Sequence, residues 1–226
     1  MSALVVTYLR GDSVRRWAGR IFDWRVNWRW WLLALGLPIV AAALITLGLT
    51  VVRGPVDLEN VVTVSPALFV GTFLFAMVLS GGLNEEPGWR GFAQDHLNER
   101  YGALTASLIV GVVWAGWHLP YFVLPQTPHS SWGLVNQVGW FGGIVTLSIL
   151  LAWLYNNTGS VLLTMVLHSM VNAADMVIPL ATDQILVDGV INDQAVALVS
   201  GVHVLVYLGL AIVVVVYFGP RTLTGR

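Results

Sequence analysis

The sequence predicts an all-α membrane protein, a polytopic bundle of about six transmembrane helices preceded by an amphipathic helix at the membrane interface. Composition, the length of the apolar runs and the placement of arginine predict it. Of 226 residues, 57% are hydrophobic and 10% charged, less than half the ~25% charge of a soluble domain. About 20 apolar residues carry a helix across the hydrocarbon core. Six runs reach that length: Trp31–Val52, Val61–Leu83, Tyr101–Leu124, Gly133–Leu154, Ser160–Leu180 and Gln194–Gly219. They leave no room for a separate soluble domain, so residues 31–219 read as one transmembrane domain with its chemistry in 80–180, and residues 220–226 as a cytoplasmic tail.

Residues 1–30 form a basic segment. Trp17, Ile21, Trp24, Trp28 and Trp31 recur at helical spacing on one face, with the arginines largely off it, as in a helix lying among lipid headgroups. Six arginines ahead of so long an apolar run argue against a cleavable signal peptide. All eleven basic residues are arginine. With the N-terminus inside, Arg10, Arg15, Arg16, Arg20, Arg25, Arg29, Arg90, Arg100, Arg221 and Arg226 are cytoplasmic, and only Arg53 lies outside, with Asp57, Glu59, Asp183, Asp188 and Asp193. Both termini are then cytoplasmic. A net charge of −1 disfavours a nucleic-acid partner. With no cysteine, disulfides, thiolate metal sites and a cysteine nucleophile are excluded, and a metal would need His, Asp or Glu. Arginine-only basicity and absent cysteine fit a prokaryotic plasma membrane.

Ionisable groups inside a bilayer are unfavourable by several kcal/mol and point to function. Three clusters stand out. Glu85-Glu86-Pro87-Gly88-Trp89-Arg90 closes the second run. A helix starting near Pro87 would set the two carboxylates at its positive end, and Glu86 and Arg90 have ion-pair spacing, leaving Glu85 free to accept a proton. A solvated cytoplasmic loop is the alternative. In the third run Trp114 lies one turn before His118 and can cover its imidazole, with Pro120 bending or ending the helix beyond. In the fifth, His168, Asn172 and Asp175 share one stripe, either lining a polar cavity or forming a polar seam between helices. His203 reads as a packed or interhelical histidine; His96 and His129 carry no assignment.

Glu-Glu-x-x-x-Arg, aromatic-x-x-x-His and His-x-x-x-Asn, in that order on separate membrane segments, resemble the CPBP family of intramembrane endopeptidases. That family includes type II CAAX-prenyl proteases, bacteriocin-processing and immunity proteins and the Abi group. The resemblance spans Glu85 to Asn172. It implies that Glu85 and His118 bind and activate a water, that Glu86 and Arg90 pair to hold the helix, and that His168 and Asn172 donate to the oxyanion. Asp175 would orient His168 or line the cavity. Two positions depart from the family pattern: Trp114 stands where phenylalanine is usual, and Pro87-Gly88 interrupts what is commonly a continuous helix.

The implied reaction is peptide-bond hydrolysis near the cytoplasmic face, without a cofactor. Zinc held by Glu85, His118 and His168 is an alternative within the same reaction. Substrates would be proteins or peptides, a prenylated C-terminus or a leader peptide among them, and the bilayer is the other partner. A non-catalytic immunity or scaffold protein and a proton-coupled carrier are the competing classes. Measured along the apolar runs, Glu85, His118 and His168 stand at different depths. Convergence needs different helix boundaries or tilt, and a water-filled cavity open to the cytoplasm is the expected result.

Overall fold

The computed structural model describes residues 2–54, 64–175, 186–187 and 190–225. Its helices are α1 (Ser2–Leu9), α2 (Val14–Ile21), α3 (Trp28–Arg53), α4 (Pro66–Val78), α5 (Gly82–Gly88), α6 (Asp95–Tyr101), α7 (Ala103–Trp117), α8 (Pro120–Val123), α9 (Leu134–Thr158), α10 (Val161–Ala174) and α11 (Asp193–Phe218). A π-helical turn, Trp89–Gln94, joins α5 to α6. Among the described residues, the departure from helix is Leu186–Val187 pairing antiparallel with Val190–Ile191.

Among the described residues, five stretches are long and apolar enough to cross a membrane: Trp28–Val52, Pro66–Tyr101, Ala103–Val123, Leu134–Thr158 and Asp193–Phe218. The fifth sequence run appears as the shorter apolar α10; residues 176–180 of it, like Val61 of the second run and the loop acids Asp57, Glu59, Asp183 and Asp188, lie outside the described residues. Leu35, Ile39, Leu74, Val112, Ile212 and Val216 are exposed on the outer faces, the surface a lipid environment covers. The chain is a multi-pass membrane bundle.

Inside, helices meet through small residues, as expected where lipid supplies no hydrophobic drive for association. A Cβ on Gly111 of α7 would stand 3.0 Å from Val145 Cα and Ser148 Cβ of α9. α10 is buried over most of its length, with Leu163, Leu167 and Val171 in the main core.

Two sequence expectations change. The second span does not end at Leu83: after a break at 79–81, helix resumes at Gly82 and runs to Tyr101, so Glu85, Glu86 and Arg90 belong to a buried helix and not to a cytoplasmic loop. Pro87 therefore sits inside the helix. Its missing N–H and its ring disturb the regular ladder, and the wide π turn follows directly, burying Arg90, Gly91 and Gln94. The tryptophan stripe is not one helix either, because α2 ends at Ile21 and Asn27 caps a new helix by accepting from Arg29 N–H. Trp17 and Ile21 face inward, Trp24 and Trp28 outward. The C-terminal segment packs against the start of α7. Arg221 and Pro220 carbonyls accept from Ala103 and Leu104 N–H at 2.8 and 2.9 Å, while Leu223 is fully buried.

These contacts define two ends of the bundle. One gathers α1, α2, the turn at Gly102 (φ +77°), the α9–α10 turn and the C-terminal segment, tied by Ser160 Oγ donating to Asp23 C=O and Asn157 Nδ2 to Leu223 C=O. At the other, Gly133 N–H and Asn136 Nδ2 donate to Asp193 where α9 and α11 begin. Gly111→Val is expected to destabilise the bundle by about 1–3 kcal/mol through overpacking. Gly209→Ala, with nothing near its Cβ position, should change little; thermal unfolding in detergent separates the two.

Candidate active site in an intramembrane cavity

Helix resumption at Gly82 brings the first two clusters level. Glu85 and His118 stand nearly equal numbers of residues before and after the turn at Gly102, so at ~1.5 Å rise per residue both lie roughly 25 Å from it. The Trp114 indole N–H, one turn below His118, donates to Glu85 Oε2. A phenylalanine at this position could not. α7 stops at Trp117, His118 is its C-cap, and Pro120 opens α8.

Glu86 and Arg90 are fully buried and paired, with Arg90 Nη1 at 3.0 and 3.2 Å from the two carboxylate oxygens. Arg90 Nη2 donates to Ser148 Oγ, which donates on to Ser107 C=O, and its guanidinium lies 4.8 Å from the Trp114 ring centroid. One helix is thereby fastened to α7 and α9. The same carboxylate reaches α10, because Glu86 Oε1 is 2.9 Å from His168 Nδ1. Of the two expectations for Asp175, orienting His168 or lining the cavity, the second is met: Asp175 lines the cavity with its Oδ1 3.9 Å from His203 Nδ1, and Glu86 holds His168.

The two catalytic-candidate histidines are thus held at Nδ1. His118 Nδ1 lies 2.9 Å from Trp114 C=O; a carbonyl only accepts, so Nδ1 carries a proton and Nε2 is the ring atom left for the cavity. His168 directs Nδ1 to Glu86. Its Nε2 and Asn172 Nδ2 converge on the bare face of Gly81, where a Cβ would stand 3.0 and 3.3 Å from them.

Glu85, Trp114, His118, His168 and Asn172 line one cavity of about 500 Å³. It matches the expected convergence. It also takes in His129 and Trp140, which sequence reading left unassigned, and His203, which it read as a packed or interhelical histidine. No periodicity marked them, since they come from a loop and from the opening halves of α9 and α11. Burial lowers the His129 imidazole below its ordinary range, making it a neutral part of the wall at pH 7. His96 lies elsewhere, against Asp12 at the opposite end.

The cavity walls run from Glu85 and Leu147 toward His129 and Trp132, at the end away from the termini. Among the described residues, no three His, Asp or Glu side chains cluster at metal-ligand spacing, and Glu85, His118 and His168 do not form such a set. Arg90→Met should destabilise the fold by about 3–5 kcal/mol by stranding Glu86, while Glu86→Gln with Arg90→Met should recover most of the loss. Thermal unfolding of both in detergent checks the pair.

Comparison with known proteins agrees with the motif order. Residues 66–174, just under half the chain, match the family model described as "Type II CAAX prenyl endopeptidase Rce1-like". The chain is also similar to CAAX prenyl protease 2 of Methanococcus maripaludis, 29% identical over 133 residues, 56% of this chain. It spans about half, 48%, of that relative's length. Glu85, His118, His168 and Asn172, which line one cavity, all fall within residues 66–174, the part of the chain that is similar to the Rce1-like, type II CAAX prenyl endopeptidase family.

Proposed function

We propose that the protein is an intramembrane endopeptidase in which Glu85 activates water for attack on a peptide carbonyl. The observation that carries this reading is the shared cavity: a carboxylate, an imidazole with a free Nε2 and two convergent donors line one space. Water held between Glu85 and His118 Nε2 gives a proton to Glu85 as its oxygen bonds to the carbonyl carbon. The resulting oxyanion takes hydrogen bonds from Asn172 Nδ2 and from His168 Nε2, whose ring is held through Nδ1 by Glu86. Glu85 then passes the proton to the leaving nitrogen as the C–N bond breaks, giving a carboxylate and an amine.

Glu86 and Arg90 act by position. They touch no reacting atom; they fix His168, Trp114 and the helix bearing Glu85. The mechanism is metal-free in this reading, and what supports it is that Glu85, His118 and His168 do not form a ligand cluster. The substrate is a protein or peptide segment reaching the cavity from the membrane.

Cleavage of a quenched-fluorescent membrane-proximal peptide by the purified protein tests the proposal. Glu85→Gln and His118→Ala should each lower kcat by about 10²-fold or more, with unfolding temperature unchanged and a strong chelator without effect. Activity lost to chelation and restored by zinc would reassign the three residues as ligands. Full activity in Glu85→Gln, or none in the wild type, would contradict the reading. Gly81→Ala, placing a methyl against His168 Nε2 and Asn172 Nδ2, should lower kcat by about 10²-fold with little change in KM.

A further inference from the structure

The π turn that carries Arg90 has a second face, which the proposed reaction does not use. We infer that Trp17 and Arg20 of α2 are positioning residues for hydrolysis, holding this turn from outside so that Glu85 stands level with His118. The inference rests on the endopeptidase reading, and it brings in a segment that lies outside residues 66–174, the part matched by the family model.

Helical order is weakened where the turn begins. Pro87 brings no N–H to the ladder and its ring crowds the preceding turn, and π-helical turns are rare and short. Two side chains of α2 meet this stretch. The Trp17 indole N–H donates to Pro87 C=O at 3.0 Å, and Arg20 Nη2 donates to Gly91 C=O at 3.1 Å. Positions 17 and 20 share one face of α2, and the two carbonyls they take bracket Arg90. Gly91 permits the approach, since a Cβ there would stand 3.2 Å from Trp17 Nε1 and 3.3 Å from Val161 Cγ2.

Arg20 also ties α2 to the bundle. It pairs with Asp95 and donates to the Tyr155 hydroxyl at 2.7 Å, while that hydroxyl donates to Asp95 Oδ1 at 3.0 Å. One guanidinium thus joins α2, α6 and α9 just beyond the π turn. A helix as short as α2 is marginal by itself, so these bonds define where it sits.

On its inner face the same stretch serves the cavity. Arg90 pairs with Glu86 and faces the Trp114 ring, and Trp114 donates to Glu85. Pro87 directly follows Glu86, so a displacement at its carbonyl reaches Glu85 through two peptide units. A misplacement on the order of 1 Å at a reacting group costs about 10²-fold in rate. Trp17 and Arg20 line no part of the cavity, so their effect falls on rate and not on substrate binding.

Trp17→Phe keeps a ring and removes the N–H donor; Arg20→Lys keeps the charge and removes the fork that spans Gly91, Asp95 and Tyr155. Arg15→Gln, at an exposed position of α2, controls for loss of charge. Each full-length variant is assayed in detergent on the quenched-fluorescent peptide. For Trp17→Phe and Arg20→Lys, kcat should fall by about 10-fold or more with KM within about twofold of wild type, and Arg15→Gln should be fully active. Unchanged kinetics, or a raised KM with unchanged kcat, overturns the inference and leaves the endopeptidase reading standing. A loss of rate matched by a loss of folded protein marks the two residues as structural only and also overturns it. A second readout needs no catalysis. In the cysteine-free chain, Glu85→Cys combined with His118→Cys is exposed to a short thiol crosslinker with and without Trp17→Phe, Arg20→Lys taking its place if that variant does not fold. Slower joining in the presence of the α2 substitution is the expected result, and equal joining overturns the inference. If the wild type cuts no peptide, the endopeptidase reading falls, and the joining rates alone decide whether α2 sets the position of Glu85.

Discussion

A carboxylate and a guanidinium excluded from water are the constraint on which the rest of this structure depends. Desolvating two charges is unfavourable by several kcal/mol each, and is tolerated only where geometry and further hydrogen bonds compensate. Glu86 is compensated by Arg90 and by His168; Arg90 by Glu86, by Ser148 and by the Trp114 ring. Beyond the pair itself, the partners Trp114, Ser148 and His168 sit on three different helices. The demand for compensation therefore fixes α5 and its π turn against α7, α9 and α10, and fixes the imidazole of His168 through its Nδ1.

Pro87 makes that arrangement possible within a single helical rod. A regular α-helix repeats every 3.6 residues, and the wide turn over Trp89–Gln94 shifts that register. Arg90, Gly91 and Gln94 turn inward as a result, and close approach at Gly91 is filled by Trp17 of α2, whose indole N–H donates to Pro87 C=O at 3.0 Å. The N-terminal segment is therefore more than an interfacial anchor. Its inner face supports the turn that places Arg90, while Trp24 and Trp28 remain on the outside.

Much of this was legible from residues alone. Length and hydropathy located the membrane helices, and i, i+4 spacing foretold the Glu86–Arg90 pair and the His168–Asn172 stripe. What failed was inference from charge to position. Glu85, Glu86 and Arg90 look like the end of a span because single-residue hydropathy counts each as exposed, and only a partner from a distant helix, Ser148 or His168, makes burial affordable. For Asp175 local spacing left two readings, orienting His168 or lining the cavity; Glu86 holds the ring, and Asp175 lines the cavity. His129 and His203 reach the cavity through tertiary packing, which no spacing within one element encodes.

The same geometry raises Glu85 and His118 to one level. Their convergence is the central claim, and proximity can be read without assuming a reaction. In the cysteine-free background, Glu85→Cys combined with His118→Cys should be joined by a short thiol crosslinker, shown by protected mobility after cleavage of the chain between them. Efficient joining of this pair, with none for Glu85→Cys combined with Gly225→Cys, is the predicted result. Failure of the 85 and 118 positions to join, in protein whose unfolding temperature matches the wild type, would contradict a water shared between Glu85 and His118.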